Sequence, residues 1–237
     1  MKLLSSFLSA CLLAIAAAPI WAADMTILVD RREKAIAIYF EVPATTLTSV
    51  FGVGAESLLE ADGTVDVPKL YDGTFLLADE IFAGSTVTLN GRETSFEGLS
   101  MMVHDPDILQ DFASPYDAEL SVAVCTSPET VEHMTLETLE AYLGYYAWGV
   151  DETSAIQLEF PVTGRNDMEI RVLEFLDLQA VDEQTVTLED GGAISFQGGQ
   201  RSNSSNAGWL FGLSAVFLAL AVVLLRPRAS LARTDHA

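Results

Sequence analysis

The sequence predicts a mainly β protein: one antiparallel, β-sandwich-like extracytoplasmic domain with one or two short helical insertions, followed by a C-terminal transmembrane helix. Three observations predict this class. Apolar and polar side chains alternate with a period of two through much of residues 24–197, as in half-buried strands. Turn-forming dipeptides containing Gly, Asn and Asp separate these stretches. The longest apolar runs lie near the two ends of the chain, over residues 3–20 and 208–225.

Residues 1–22 are interpreted as a signal peptide. Lys2 gives a positive start, an apolar run follows, and Ala22 is a small residue at the cleavage position. An alternative is lipidation of Cys11, because Leu8-Ser9-Ala10-Cys11 fits the pattern that precedes a lipidated cysteine. Cleavage there would use a very short apolar core, so ordinary cleavage near Ala22 is favoured.

A transmembrane helix is predicted over residues 208–225. These 18 uncharged residues extend about 27 Å as a helix, close to the roughly 30 Å hydrocarbon layer. Arg226, Arg228 and Arg233 follow, so the positive-inside rule predicts a short cytoplasmic tail at residues 226–237. A sorting tail whose helix is removed is the alternative, but no Leu-Pro-x-Thr-Gly or Pro-Glu-Pro element precedes the span.

Between the two apolar segments we expect one domain, residues 23–197, and a flexible linker rich in Gly, Ser and Asn at residues 198–207. Cys125 is the one cysteine left after removal of the signal peptide, whereas secreted animal domains of this size usually carry paired cysteines. We therefore expect a bacterial protein, held in the inner membrane by residues 208–225, with its body on the periplasmic side.

The charge of the body excludes one class of partner. Of the 34 acidic and 12 basic residues of the chain, 33 and 8 lie in residues 24–207, which gives that region a net charge of −25. A body this acidic is repelled by phosphate backbones, so nucleic-acid binding is excluded.

Eight or nine strands are predicted, most of them in hairpins joined by turn residues. The hairpins cover residues 25–42, with a charged turn at 30–34; residues 86–96, across Asn90-Gly91; and residues 185–196, across Asp190-Gly191-Gly192. Further strands are predicted over residues 118–124, 156–160 and 169–176, the last with a bulge or burial on both faces after Val172.

Helices are predicted at fewer places. Leu136, Leu139, Leu143 and Tyr146 have helical spacing, which predicts a helix over residues 135–147. Asp105-Pro106 predicts a short helical turn over residues 108–112. Single helical turns are also expected in residues 43–51 and 76–82.

A metal site is the second functional hypothesis. Met101, Met102, His104 and Asp105 lie close together in the sequence, and His133 with Cys125 and Met134 could complete the site. Thioether and imidazole ligands suit copper. The spacing matches no strong ligand motif, and methionines more often fill cores. Acidic loops at residues 62–66 and 105–111 lack the spacing of a calcium loop. We therefore expect no resident cofactor.

A hydrolase is the third hypothesis. Gly98-Leu99-Ser100 begins like a nucleophile elbow but lacks the second glycine. Cys125 could act as a thiol nucleophile with His104 or His133, although a lone cysteine at the end of an apolar stretch is more often a buried hydrophobe. A catalytic pair of carboxylates needs only two acids at the right separation, which the sequence alone does not reveal.

An interaction domain without catalysis of its own is the first hypothesis. Tyr142, Tyr145 and Tyr146 lie on the predicted helix at residues 135–147, and Trp148 directly follows it. Tyr145 and Trp148 lie off its apolar stripe, so we expect them to be exposed and to bind a membrane or periplasmic protein partner. The alternative is that these aromatic residues seal the helix against the sheet.

Overall fold

The computed structural model describes residues 23–94, 97–105, 111–124 and 134–198. Strands dominate these segments, so the mainly β prediction is confirmed. The strands are β1 (Met25–Arg32), β2 (Ala35–Pro43), β3 (Thr86–Leu89), β4 (Arg92–Glu93), β5 (Glu97–His104), β6 (Glu140–Trp148), β7 (Ile156–Glu159), β8 (Met168–Leu176), β9 (Gln179–Leu188) and β10 (Ala193–Phe196). The α-helices are α1 (Leu47–Phe51), α2 (Val67–Gly84) and α3 (Pro115–Ala123), and 3-10 turns lie at Ala44–Thr46, Ala55–Leu58 and Leu136–Thr138.

The strands form two sheets. The larger has the order β5-β6-β2-β1-β8-β9, with every neighbouring pair antiparallel except β1 and β8, which are parallel. The smaller has the order β10-β7-β3-β4 and is antiparallel. Both sheets contribute to one hydrophobic core, which is compatible with a sandwich-like arrangement.

The main core lies against one face of the six-stranded sheet, here called the inner face. Alternation in β2 directs Ile36, Ile38, Phe40 and Val42 to this face, and the four-stranded sheet contributes residues such as Leu158. Helix α2 closes the same core. It starts at Asp66, whose side chain accepts a hydrogen bond from the Lys69 amide at 3.2 Å.

The opposite, outer face of this sheet packs against α3. A second, smaller cluster forms there, consisting of Leu28, Ala37, Tyr39, Phe112, Ala118, Val122, Tyr142, Leu173 and Phe175. Gly144 of β6 allows the close approach, because a Cβ atom at this position would lie 3.3 Å from Val122 Cγ2 and 3.4 Å from Tyr39 Cδ1. The six-stranded sheet is therefore buried on both faces through its central strands.

Several local predictions are confirmed. β1 and β2 form the predicted hairpin, but the charged turn predicted at residues 30–34 is too long: Asp30, Arg31 and Arg32 pair with β2 inside the ladder, so the turn consists of residues 33–34 alone. Asn90 and Gly91 connect β3 to β4 with φ of 52° and 74°, the left-handed conformation that such a turn requires. β8 shows both features expected of it, since its register with β9 shifts after Glu174 and residues 172–176 are all buried. The predicted helical turns at residues 43–51 are present as a 3-10 turn and α1.

The predicted helix over residues 135–147 is wrong. Apart from the 3-10 turn Leu136–Thr138, this segment is strand β6, which pairs with β2 on one side and β5 on the other. The reason is two-sided burial. Leu143 faces the main core and Tyr142 the outer cluster, and a central strand that is apolar on both faces can reproduce helical spacing by coincidence.

The predicted strand over residues 118–124 is also wrong, because all but the last of these residues belong to helix α3. Ser114 begins the helix, and its Oγ accepts a hydrogen bond from the Asp117 amide at 3.2 Å. Pro115 occupies the first helical turn, where its missing N–H is not needed. This local cap outweighs the apparent period-two alternation of the apolar residues Ala118, Leu120, Val122 and Val124.

The predicted hairpin at residues 185–196 is wrong as well, because β9 and β10 belong to different sheets. Asp190 instead accepts hydrogen bonds from the amides of Thr163 and Gly164, both at 2.9 Å. The turn is thus tied to the segment after β7, and the chain crosses to the smaller sheet. The helical turn predicted at residues 76–82 is part of the much longer α2.

Other predictions concern residues outside the described ranges. These are the signal peptide, the span at residues 208–225, the tail at residues 226–237, nearly all of the linker and most of the helical turn at residues 108–112. Among the described helices, none has both the length and the apolar character needed to cross a membrane.

Candidate partner-binding site

A pocket opens on the outer face where β2 begins and β6 ends. Three cross-strand pairs shape this part of the sheet, each joining a small residue to a large one: Ala35 with Trp148, Ala37 with Tyr146, and Gly144 with Tyr39. The two alanines and the three rings all line the depression. Its volume is about 80 Å³.

Aromatic rings form one wall of the pocket. Trp148 is 63% exposed. Its ring stacks on that of Tyr146, with centroids 6.3 Å apart and planes 8° apart. Tyr146 in turn meets Tyr39 edge to face at 5.7 Å. The three rings lie in series on one face, so Trp148 is held in place by its neighbours although it is open to solvent.

Charged groups line the other side of the pocket. Asp30 of β1 is completely buried, and its Oδ2 accepts a hydrogen bond from Arg32 Nε at 2.5 Å. Arg32 also lies 3.5 Å from Glu119 of α3. The other oxygen of Asp30, Oδ1, has no hydrogen-bond partner among the described residues. Burial raises the pKa of Asp30, and the neighbouring Arg32 partly opposes this effect.

A buried arginine, Arg31, connects this end of the sheet to the loop after β6. Arg31 alternates with Asp30 and points to the opposite face, where it is completely buried. Its guanidinium donates to the carbonyl oxygens of Ser154 at 2.6 Å and Glu152 at 3.1 Å, and it pairs with Glu174 at 3.4 Å. The loop after Trp148 is therefore tied to β1 and β8, which fixes where β6 ends.

Tyr145 does not share the exposed surface predicted for it with Trp148. It lies on the inner face, is 2% exposed, and contacts the rings of Phe40 and Phe82 at centroid distances of 5.4 Å. The reason is the two-residue period of β6, which separates positions 145 and 148 onto opposite faces. Tyr146, one residue later, is the true neighbour of Trp148.

The structure divides the described residues of the predicted metal site between the two faces of β5. Met101 is buried on the inner face, whereas Met102 and His104 follow the alternation to the other face. His104 Nε2 lies 2.9 Å from the carbonyl oxygen of Ser121. A carbonyl only accepts, so Nε2 holds the proton and has no free electron pair for a metal. Burial lowers the pKa of His104, which favours the neutral ring.

Two further members of that prediction, His133 and Cys125, lie outside the described residues. Asp105 directly follows β5 and is partly buried. Within the described ranges no group of three His, Cys, Asp or Glu side chains is placed to hold a metal ion.

The structure also brings together two carboxylates that the sequence did not pair. Glu140 lies opposite His104 across β5 and β6, and it is diagonal to Glu41 across β6 and β2. Burial, together with the charge of Glu41, raises the pKa of Glu140 to about 7. Burial also raises the pKa of Glu41, while hydrogen bonds from Thr26 and Tyr142 and the charge of Arg171 oppose the change. Sequence reasoning missed this pair because it assigned Glu140 to a helix.

The fold and the pocket define a mainly β domain with a small, aromatic-walled and partly acidic recess at one end of its larger sheet. No protein-family model matches the chain, and no curated protein matches it in sequence.

Proposed function

We propose that the protein is a membrane-anchored extracytoplasmic interaction domain, without catalysis of its own, that docks a partner protein through the pocket beside Trp148. The observation that carries this proposal is the position of Trp148. It is a large aromatic residue, mostly exposed, and its ring stacks on that of Tyr146 beside a recess. Rigid aromatic anchors of this kind carry a disproportionate share of the binding energy in protein interfaces.

The size of the pocket favours a protein partner over a small molecule. Sites for small molecules commonly enclose about 300–1,000 Å³. The recess here has about 80 Å³, which suits the end of one side chain. A partner that inserts one side chain and covers Trp148 would bury the surrounding rim, and the charged residues Arg32 and Glu119 would lie at that rim.

The sequence supports the location of the partner. The predicted linker at residues 198–207 has an average reach of roughly 17 Å, so the domain would stand close to the membrane surface. A membrane protein, or a periplasmic protein bound near the membrane, is therefore the partner that we propose.

Co-purification from native membranes tests this function. We expect Trp148→Ala in the full chain to lose the partner. The matched control is Val162→Ala, because Val162 is 79% exposed and lies in the segment after β7, away from the pocket. It should retain the partner. Retention by both variants, or loss by both, would count against docking at Trp148.

Hydrolysis is the second candidate, favoured by the pair of Glu41 and Glu140. A carboxyl group with a pKa of about 7 can donate or accept a proton near neutral pH. The test is a screen of the full chain against reporter esters, glycosides and peptides. Turnover that is lost in Glu140→Gln but kept in Glu189→Gln, an exposed control, would support this candidate. No turnover of any of these substrates would count against this candidate.

A further inference from the structure

We infer that the pocket beside Trp148 takes a primary ammonium group, such as the end of a lysine side chain on the partner. This inference rests on the proposed function and deepens it, because it specifies the chemistry of the inserted side chain. Three features support it: the buried Oδ1 of Asp30, which has no hydrogen-bond partner in the described chain, the balance of charge around the recess, and the aromatic wall.

The first feature is Asp30. Its side chain is completely buried and lines the recess, yet Oδ1 has no hydrogen-bond partner within the described chain. Leaving a buried charged acceptor without a donor is more unfavourable than leaving a neutral one. Because Oδ1 has less than 1 Å² of exposed surface, an ammonium group reaches it only if the surrounding side chains shift on binding. It then brings three donors and a positive charge to this oxygen.

The geometry also distinguishes an ammonium from a guanidinium. Arg32 already occupies Oδ2 of Asp30. A guanidinium binds a carboxylate best through two parallel hydrogen bonds, which need both oxygens. One remaining oxygen in a recess of about 80 Å³ is better matched by a compact point charge.

The second feature is the charge around the recess. Asp30 and Glu119 supply two carboxylates, and Arg32 supplies one guanidinium between them. One negative charge is in excess. The net charge of −25 over residues 24–207 adds a long-range field that attracts basic partners and repels acidic ones.

The third feature is the aromatic wall. Trp148, Tyr146 and Tyr39 line the recess. The faces of indole and phenol rings attract a cation, and the attraction is stronger when water is excluded. The methylene groups of a lysine side chain would pack on the same rings and on Ala35 and Ala37.

Tryptophan fluorescence tests the inference directly. The chain has three tryptophans, so Trp21→Phe and Trp209→Phe leave Trp148 as the reporter in the full chain in detergent. The probe is n-butylammonium, and the uncharged control is n-butanol. We expect a saturable change in the emission of Trp148 with n-butylammonium at millimolar concentration, and an apparent affinity for n-butanol at least about tenfold weaker.

Variants identify the carboxylate. In the same background we expect Asp30→Asn to weaken n-butylammonium binding by about tenfold, since a buried charged hydrogen bond is lost, and Glu119→Gln to weaken it by a smaller factor. Glu80→Gln is the control, because Glu80 is exposed on α2, which packs against the main core. It should leave the binding curve unchanged. Far-ultraviolet circular dichroism checks that each variant is folded.

Several results would overturn the inference. Equal responses to n-butylammonium and n-butanol would show that the recess does not select a cation, and an unchanged curve for Asp30→Asn would show that Asp30 is not the acceptor. If Asp30→Asn fails to fold, the inference is judged by two other results: whether the unsubstituted pocket prefers n-butylammonium to n-butanol, and whether Glu119→Gln weakens n-butylammonium binding. If Trp148→Ala loses the partner but the pocket shows no selectivity for ammonium, docking stands and the ligand class is wrong. If the pocket selects ammonium but Trp148→Ala still retains the partner, the ligand class stands and docking at Trp148 is wrong.

Discussion

Trp148 and Tyr146 are two residues apart in β6 and stack with their ring planes 8° apart. Successive side chains of a strand alternate between faces, so residues separated by two lie side by side. Here the alternation places the half-buried Tyr146 next to the exposed Trp148. Tyr146 therefore helps to orient the Trp148 ring. Because Trp148 is mostly exposed, the packing of β6 in the core does not require it.

The first prediction follows from this asymmetry. We expect Trp148→Ala to change the free energy of unfolding by less than about 1 kcal/mol, because exposed positions tolerate truncation. Leu143→Ala, in the same strand but completely buried in the main core, should lower it by about 2–5 kcal/mol. Urea denaturation of both variants gives the comparison. Unfolding of Trp148→Ala would place its ring in the core.

The second prediction concerns Gly144. A Cβ atom there would lie 3.3 Å from Val122 and 3.4 Å from Tyr39, and a branched side chain would overlap both. We expect Gly144→Val to lower the free energy of unfolding by about 1–3 kcal/mol, through strain between β6 and α3. Gly84→Ala is the matched control, since its nearest neighbour, Phe51 O, would lie at an ordinary 3.5 Å. If both changes are equally tolerated, α3 is not packed closely on Gly144.

The third prediction concerns Arg31. We expect Arg31→Ala to lower the free energy of unfolding by about 3–5 kcal/mol, because Glu174 is left as a buried charge without its partner. Replacing Arg31 and Glu174 together by methionine should recover much of that loss, since no buried charge then remains. Chemical denaturation of the two variants tests this order. A double variant less stable than Arg31→Ala would contradict it.

The fourth prediction is a pH dependence caused by Glu140. Its pKa of about 7 in the folded protein exceeds the 4.5 of an exposed glutamate, so folding favours the protonated form. The stabilisation is complete below about pH 4.5 and is lost as the pH rises through 7. Because Glu140 is only partly buried, we expect Glu140→Gln to stabilise the protein by about 1–2 kcal/mol at pH 8 relative to the unsubstituted chain.

Thermal unfolding over this pH range measures the effect. Glu189→Gln, at an exposed position, is the control and should follow the unsubstituted protein throughout. If Glu140→Gln shows the same fall in stability between about pH 5 and 7 as the control, then Glu140 is not the group responsible.

The fifth prediction concerns membrane orientation: the C-terminal tail lies in the cytoplasm and the domain lies on the other side of the membrane. A reporter that is active only in the cytoplasm should work when fused after Ala237. The same reporter should be inactive when fused at Gly199, which removes the apolar run at residues 208–225. The reverse pattern would contradict the proposed orientation.

The parts of the fold that were predictable from the sequence are those that depend on neighbouring residues. Asn90 and Gly91 suffice for a tight turn, and the alternation of β1 and β2 suffices for a hairpin. Ser114 and Pro115 carried an equally local signal for α3, which the apparent alternation of the following residues obscured.

The site could not be predicted in the same way. Asp30, Ala37 and Tyr146 meet only because β2 pairs with both β1 and β6, and Tyr146 is more than a hundred residues from the other two. Glu41 and Glu140 depend on the same pairing. A helix over residues 135–147 is incompatible with both the pocket and the carboxylate pair, because both need β6 paired with β2. Trp148 stands out in the sequence only by its aromatic neighbours.

Site-specific photo-crosslinking tests docking at the pocket most directly. The crosslinking amino acid replaces Tyr116, which is 70% exposed on α3, one helical turn before Glu119, and in a second strain it replaces the remote Val162. In native membranes we predict a discrete adduct with one protein from position 116, none from position 162, and loss of the adduct when Trp148→Ala is added. Adducts that are equally abundant from both positions, or an adduct from position 116 that persists without Trp148, would contradict docking at this pocket.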